Sequence, residues 1–155
     1  MRFILGTHMT EWVSKIEEPL FISAIQLRKR PIRKLATARW ALDSGGFSEL
    51  TTHGRWTVTP QEFASEVRRW RDKIGNLEWV AIQDWMCEPL VLEKTGYTVL
   101  DHQLFTVQSW LDLNDLAPEI PWVPVLQGWQ HDDYLQHVWL YQRYAGLDLR
   151  TLPLV

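Results

Sequence analysis

Short apolar runs alternate along the chain with longer stretches in which apolar residues recur every three or four positions. The runs at residues 3–8, 40–43, 77–84 and 122–127 predict strands, and the periodic stretches predict helices between them. Strands that alternate with helices are typical of a parallel sheet joined by right-handed crossovers. The pattern therefore predicts a single α/β domain over residues 1–155.

Capping residues mark where the longest helices begin. Thr59 and Glu62 have the spacing of a capping box, with a proline between them at the first helical position. Asp101 is expected to cap a helix over residues 103–114. A further helix is predicted over residues 131–144, where a glycine follows the last periodic positions.

Three segments show weaker patterns. Residues 19–39 mix apolar and basic residues around prolines and predict a weak helix with a loop, and residues 88–89 predict the start of a loop. Residues 151–155 are expected to begin a fifth strand. A closed eight-stranded barrel typically needs about 250 residues. We therefore expect either a small open α/β sheet or the N-terminal part of a barrel.

Composition narrows the class of protein. Of the 155 residues, 46% are apolar, so the chain is long and apolar enough to bury a core and is not a disordered segment. The net charge of −3 gives no global attraction to nucleic acid. No run approaches the roughly 20 apolar residues of a membrane span. Cys87 is the only cysteine, which excludes an internal disulfide and a multi-cysteine zinc site and fits a reducing compartment such as the cytoplasm.

Basic residues are concentrated in one stretch around Pro31. They are Arg28, Lys29, Arg30, Arg33, Lys34 and Arg39. Such a tract is either solvated surface or a contact for a phosphate backbone, and the sequence leaves both interpretations open.

Polar side chains close three of the predicted strands. Asp43 ends one apolar run, Asp84 ends the next, and Gln127 ends the last. Parallel sheets and barrels build small-molecule sites from residues at the carboxyl ends of their strands. We therefore expect these three side chains to converge on one pocket.

The segment 43–47, Asp-Ser-Gly-Gly-Phe, carries the most chemistry. Its two glycines allow a ligand to approach the backbone closely, and its aromatic ring can stack on a flat ligand. Each feature also has a purely structural explanation. Asp43 and Asp84 can cap turns, and Phe47 can be an ordinary core ring.

The three strand ends together resemble tRNA-guanine transglycosylases, which are TIM barrels. Residues 43–47 match that family's Asp-Ser-Gly-Gly-Phe signature. Asp84, followed three residues later by Cys87, resembles the family's Asp-Glu-Cys strand end, where the cysteine comes two residues after the aspartate. Residues 127–129, Gln-Gly-Trp, resemble its Val-Gln-Gly-Gly segment, with tryptophan in place of the second glycine.

Other features are closer to one branch of that family. They are the opening Leu-Gly-Thr-His at residues 5–8, the ten tryptophans, and Leu-Gln-Gly-Trp at residues 126–129. That branch comprises the DpdA-like deazapurine DNA-modification proteins of bacteria and phages. The resemblance runs through residues 1–155 in order and implies the N-terminal half of a TIM barrel, truncated in strand five.

The resemblance also implies a role for each matching residue. Asp43 is expected to be catalytic and to assist at the reacting centre, and Phe47 to stack on a purine-like base. Asp84 and Gln127 are expected to hydrogen-bond the edge of that base. The other implied substrate-binding residues are Ser44, Gly45, Gly46 and Gly128.

The covalent nucleophile and the structural zinc site of the family lie on later strands, beyond the position that matches Val155. The resemblance thus implies no cofactor within this chain, and a possible partner polypeptide that supplies the missing half barrel. The expected function is exchange of guanine for a 7-deazaguanine such as 7-cyano-7-deazaguanine in DNA or tRNA. A duplex substrate would need its target base flipped out. The alternative is a non-catalytic or decayed accessory domain that binds a small molecule or a partner protein.

Overall fold

Strands and helices alternate through residues 4–149, the part of the chain that the computed structural model describes. The strands are β1 (Leu5–Thr7), β2 (Leu20–Ser23), β3 (Trp40–Asp43), β4 (Leu77–Ala81) and β5 (Trp122–Val123). The helices are α1 (Ala24–Lys29), α2 (Gly46–His53), α3 (Pro60–Ile74), α4 (Pro89–Thr95), α5 (Val99–Leu116) and α6 (His131–Ala145), with a 3₁₀ helix at Thr10–Ser14. None of these helices has the length and apolar character that crossing a membrane requires.

The five strands form one parallel sheet in the order β1-β2-β3-β4-β5. Each strand therefore pairs with its neighbour in the chain, and no strand is inserted out of order. Right-handed crossovers in such a sheet place every connecting helix on the same face. This arrangement is that of part of a TIM barrel, and it confirms the predicted α/β fold class.

The main core lies between that face of the sheet and the helices α1, α3 and α5. Alternate strand residues such as Ile22, Leu42 and Val80 are fully buried against Phe63 of α3 and Leu113 of α5. Because side chains on a strand alternate between faces, these residues all belong to one side of the sheet. A second, smaller cluster joins α5 to α6.

The opposite face of the sheet carries a row of different residues. Phe21, Ala41 and Trp79 are neighbours in the strand register, and the rings of Phe21 and Trp79 lie 5.1 Å apart. Ser23 and Asp43 are paired two residues further along and so continue this row at the carboxyl end of the sheet. Asp43 is thereby presented on the face that forms the interior of a TIM barrel.

Several predicted elements are confirmed. Strand β3 has the predicted bounds, and α3 begins with the predicted capping box, in which the Glu62 N–H donates to Thr59 Oγ1 over 3.2 Å. Helix α6 begins at the predicted residue and ends at Ala145, with Gly146 as its C-cap. The strand predicted over residues 3–8 is β1, which has three residues.

The prediction for residues 19–39 was wrong in part, because strand β2 occupies its beginning. Ser23 is the last residue of β2 and also the residue before α1, so strand and helix follow each other without a turn. Helix α2 was not predicted either, since it begins inside the glycine pair of the 43–47 segment. The predicted fourth strand is consequently the fifth.

The last two strands are shorter than predicted. Pairing ends at Ala81 and Val123, well before Asp84 and Gln127. Pro124 has no N–H to donate to a neighbouring strand. Further along, helix side chains replace the ladder, since the Trp85 N–H donates to Thr106 Oγ1 over 2.8 Å.

The predicted loop at residues 88–89 is instead the beginning of α4, with proline at its first position. Helix α5 begins earlier than predicted and is capped by Thr98. Asp101 is the third helical residue and accepts the Thr98 N–H in a capping box. The strand predicted at residues 151–155 lies outside the described residues.

Candidate functional site

A cavity of about 230 Å³ opens at the carboxyl end of the sheet. It lies at the ends of β2 and β3 and beside the segment that follows β4. Both predicted aspartates line it. The lining residues are Ser23, Ile25, Gln26, Asp43, Gly45, Gly46, Phe47, Ser48, Asp84 and Met86. This volume is below the roughly 300–1,000 Å³ of pockets for drug-sized ligands, so it suits one small heterocycle.

Asp43 is the last residue of β3 and stands beside the end of β2. Burial raises the pKa of its carboxyl above the ordinary value, while hydrogen bonds from the Ser23 side chain and the Gly45 N–H act in the opposite direction. The register that pairs Ser23 with Asp43 explains this contact. Asp43 is therefore held by donors from two neighbouring strand ends.

Asp84 is buried more deeply, with 7% of its surface exposed. Its Oδ1 accepts from Ser44 Oγ over 2.9 Å, and its Oδ2 accepts from Gln127 Nε2 over 2.5 Å. Burial, joined by the negative charge of Asp43, raises the pKa of Asp84 to about 6 despite these two donors. The carboxyl thus changes charge close to neutral pH.

The glycine pair brings α2 against the two aspartates. Gly45 has a φ of +88°, in the left-handed region, and a Cβ there would lie 2.6 Å from Ile25 Cγ1. A Cβ on Gly46 would lie 2.9 Å from the Asp84 carbonyl oxygen. Both glycines therefore serve close packing of this turn, and the space they leave is already filled by protein.

Helix α2 begins at the cavity wall, and no side chain caps its first turn. The positive end of a helix favours negative charge nearby, so α2 stabilises the ionised aspartates. Phe47, in that first turn, is 51% exposed and lines the cavity. Its ring is available to a ligand and does not belong to the core.

Gln127 contacts Asp84 but is not among the residues that line the cavity. It is 8% exposed, and its contribution to the site passes through its hydrogen bond to Asp84. Gly128 is packed against the start of α6, where a Cβ would lie 2.7 Å from Asp133 Cβ. The structure therefore brings Asp43 and Asp84 together, with Gln127 behind Asp84 and Gly128 further from the cavity.

Sequence reasoning missed five lining residues, namely Ser23, Ile25, Gln26, Ser48 and Met86. Ser23 ends an apolar run just as the three predicted residues do, and this signal was available in Leu-Phe-Ile-Ser at residues 20–23. Gln26 and Met86 follow strand ends without any motif that marks them.

The basic tract lies mostly outside this site. Arg28 forms ion pairs within the fold, at 2.8 Å from Glu66 and 3.8 Å from Glu49. The later part of the tract leads to the amino end of the sheet, before β3, where the Ala36 N–H donates to the Ile74 carbonyl at the end of α3. A phosphate contact by this tract remains a prediction.

The arrangement provides hydrogen-bond acceptors on a polar, partly enclosed wall. Two carboxylates in one cavity attract N–H donors, and the raised pKa values of Asp43 and Asp84 allow either to take up or release a proton. In the described range 4–149, no three His, Cys, Asp or Glu residues are grouped as a metal site would require.

Comparison with known proteins identifies a family. One family model, DpdA (DeoxyPurine in DNA protein A), matches residues 1–155. No curated protein and no solved structure shows a significant match. The family contains DNA-modification proteins similar to tRNA-guanine transglycosylases, in agreement with the resemblance seen at the strand ends. The match spans the whole chain, which therefore belongs to the DpdA family.

Proposed function

We propose that this chain binds a guanine-type 7-deazapurine base in the cavity at the end of β3 and takes part in exchanging that base into DNA. The observation that carries the proposal is the placement of Asp43, Asp84 and Phe47 on the wall of one cavity of about 230 Å³. Membership of a family of deazapurine DNA-modification proteins supports the choice of ligand and of nucleic acid.

Asp84 has the acceptors that the edge of such a base requires. A 7-deazaguanine presents a ring N–H and an exocyclic amine side by side, which together match the two oxygens of one carboxylate. Ser44 and Gln127 each donate to one oxygen of Asp84, and the Asp84 backbone N–H is a further donor to this carboxylate. Two carboxylate oxygens have about four acceptor positions together, so acceptor capacity remains for the base.

Phe47 supplies an apolar face for the ring. Its half-exposed side chain projects from the first turn of α2 on the same wall as Asp43. Aromatic stacking on a nucleobase is worth about 1–3 kcal/mol per base. The Gln127 amide, which the resemblance implied would hydrogen-bond the edge of the base, acts in this proposal chiefly by holding Asp84.

Asp43 is the candidate for proton transfer near the reacting bond. It is the last residue of β3 and is less buried than Asp84, and burial raises its pKa above the ordinary value, which is the direction that favours a proton-carrying role. Exchange through a covalent intermediate also needs a carboxylate nucleophile. No residue of this sequence matches the family's nucleophile, which favours a second candidate function, namely deazapurine binding without exchange by these 155 residues alone.

Calorimetry with 7-cyano-7-deazaguanine tests the binding step. We expect the purified protein to bind, and Asp84→Ala to weaken binding by about 1–3 kcal/mol because a charged acceptor is lost. Asp115→Ala, which removes an exposed carboxylate on α5, is the matched control and should bind like the wild type. Equal affinity of Asp84→Ala and wild type would contradict the assignment. Incorporation of labelled base into DNA separates the two candidate functions.

A further inference from the structure

The backbone of Gln127 is held from both sides by buried side chains that lie outside the cavity. Its N–H donates to Nδ1 of His137 over 2.8 Å, and its carbonyl accepts from Nε2 of Gln103 over 2.9 Å. Its own side chain donates to Asp84. One residue thus connects the site carboxylate with two helices, α5 and α6.

His137 is fully buried on α6, and its ring stacks on Tyr141 with 4.9 Å between centroids. Nδ1 lies 2.8 Å from the Gln127 nitrogen and 3.1 Å from the Gln127 carbonyl oxygen. We assign Nδ1 as the acceptor of the shorter contact, which places the proton of the neutral ring on Nε2, an atom with no hydrogen-bond partner among residues 4–149. Burial lowers the pKa of His137 to about 4, against favourable contacts with the Gln127 and Gln103 carbonyls. His137 therefore remains a neutral acceptor throughout the neutral pH range.

We propose that His137, together with Gln103, is a positioning residue for Asp84 and acts through Gln127. This inference rests on the proposed function, in which Asp84 receives the base. The segment from β5 to α6 has no strand partner at Gln127, because pairing with β4 ends at Val123. The side chains of His137 and Gln103 bind the Gln127 backbone in place of a neighbouring strand and so fix the direction of the Gln127 amide.

Loss of the acceptor at position 137 would change the hydrogen bonding of the candidate site. Without an acceptor at position 137, the buried Gln127 N–H is unsatisfied, and the segment must move to reach water or another acceptor. The Gln127 amide then withdraws from Asp84, which loses one of the two side-chain donors that favour its ionised form. Asp84 becomes harder to ionise and less well oriented for a base.

Two substitutions at position 137 separate this role from packing. His137→Phe keeps an aromatic ring beside Tyr141 but removes the acceptor, whereas His137→Asn places an amide oxygen near the position of Nδ1. We expect His137→Phe to weaken binding of 7-cyano-7-deazaguanine about five- to tenfold and His137→Asn to stay within about twofold. His131→Phe, at an exposed histidine on the same helix, is the control and should not change binding.

A second readout does not depend on the ligand. The carboxyl carbon of Asp84, followed by NMR in aspartate-labelled protein, should titrate at higher pH in His137→Phe than in wild type or His137→Asn. The titrating and charged groups around Asp84 are Asp43 on β3, Cys87 in its own segment and Tyr141 on α6, and all three are retained. In a Gln127→Met background, His137→Phe should cause no further change in the Asp84 titration, because the hydrogen bond from the Gln127 side chain to Asp84 is already absent.

An unchanged Asp84 titration in folded His137→Phe overturns the proposal, as does an equal shift in His137→Asn. If His137→Phe does not fold, Gln103→Met removes the donor to the Gln127 carbonyl at similar volume and should raise the titration midpoint of Asp84 in the same way. An unshifted Asp84 midpoint in Gln103→Met also overturns the proposal. If wild type binds no deazapurine while the midpoints shift as expected, the proposed function fails and the positioning role stands.

Discussion

At the scale of single residues, the site balances burial against hydrogen bonding. Burial raises the pKa of both Asp43 and Asp84, while Ser23, Ser44 and Gln127 donate to them. Each donor lowers the cost of keeping a negative charge in a poorly hydrated place. The cavity therefore favours a neutral ligand with N–H donors, which satisfies the remaining acceptors without adding charge.

The raised pKa of Asp84 predicts a specific dependence of stability on pH. Its ordinary value is 3.8, and in the folded protein it is about 6. Between these values the folded state binds more protons than the unfolded state, so this group's contribution to stability is complete below pH 4 and is lost as pH rises through 6. Urea unfolding at several pH values should show that decline for wild type and a smaller one for Asp84→Asn. Parallel curves for the two proteins would contradict the shift.

At the scale of elements, the sequence predicted those with clear boundaries. Helix α3 has a capping box and a terminal glycine, and β3 is an apolar run that ends in a carboxylate. Strand β2 lacks such boundaries, because Ser23 ends the strand and precedes α1 at once, and the two patterns merge. Strand β5 was predicted too long, since an apolar run does not reveal which N–H groups helix side chains will bind.

The same reasoning explains how much of the site was predictable. Asp43 and Asp84 were found because each closes an apolar run in the sequence, and the structure places both on the cavity wall. Ser23 was missed together with its strand. The positions of Gln103 and His137 depend on how α5 and α6 pack against the end of β5, and nothing in the local sequence indicates that packing.

The junction between α2 and the segment after β4 yields a prediction at this scale. In Gly46→Ala the new methyl group would lie 2.9 Å from the Asp84 carbonyl oxygen, so α2 and Asp84 must separate. We expect a loss of about 1–3 kcal/mol in stability, measured by urea unfolding, together with weaker deazapurine binding. Gly6→Ala is the control, because nothing lies within 4 Å of its added Cβ. A Gly46→Ala protein as stable as Gly6→Ala would show that the junction adapts freely.

At the scale of the whole molecule, the strand order decides how the sheet is covered. Strands that follow in chain order place their helices on one face, whereas a doubly wound sheet covers both. The face with Phe21, Ala41 and Trp79 belongs to neither of the two apolar clusters found among residues 4–149. Parallel sheets are normally buried on both faces. A barrel buries this second face by closing the sheet on itself, with Asp43 at the end of the enclosed face.

On this face Ala41 is buried, whereas Phe21 and Trp79 are only partly buried. This partly covered face predicts that the 155-residue protein associates, either with itself or with a polypeptide that supplies further strand–helix units. The outermost strands of the described sheet, β1 and β5, offer edges for such pairing, and Phe21 and Trp79 offer apolar surface. Light scattering should show species larger than a monomer, and Trp79→Gln should reduce them. Trp139→Gln, at a residue on α6 that is 56% exposed, is the matched control. A monomer that persists at high concentration and unfolds cooperatively would show that the open sheet is self-sufficient, and loss of association in Trp139→Gln alone would place the interface on α6.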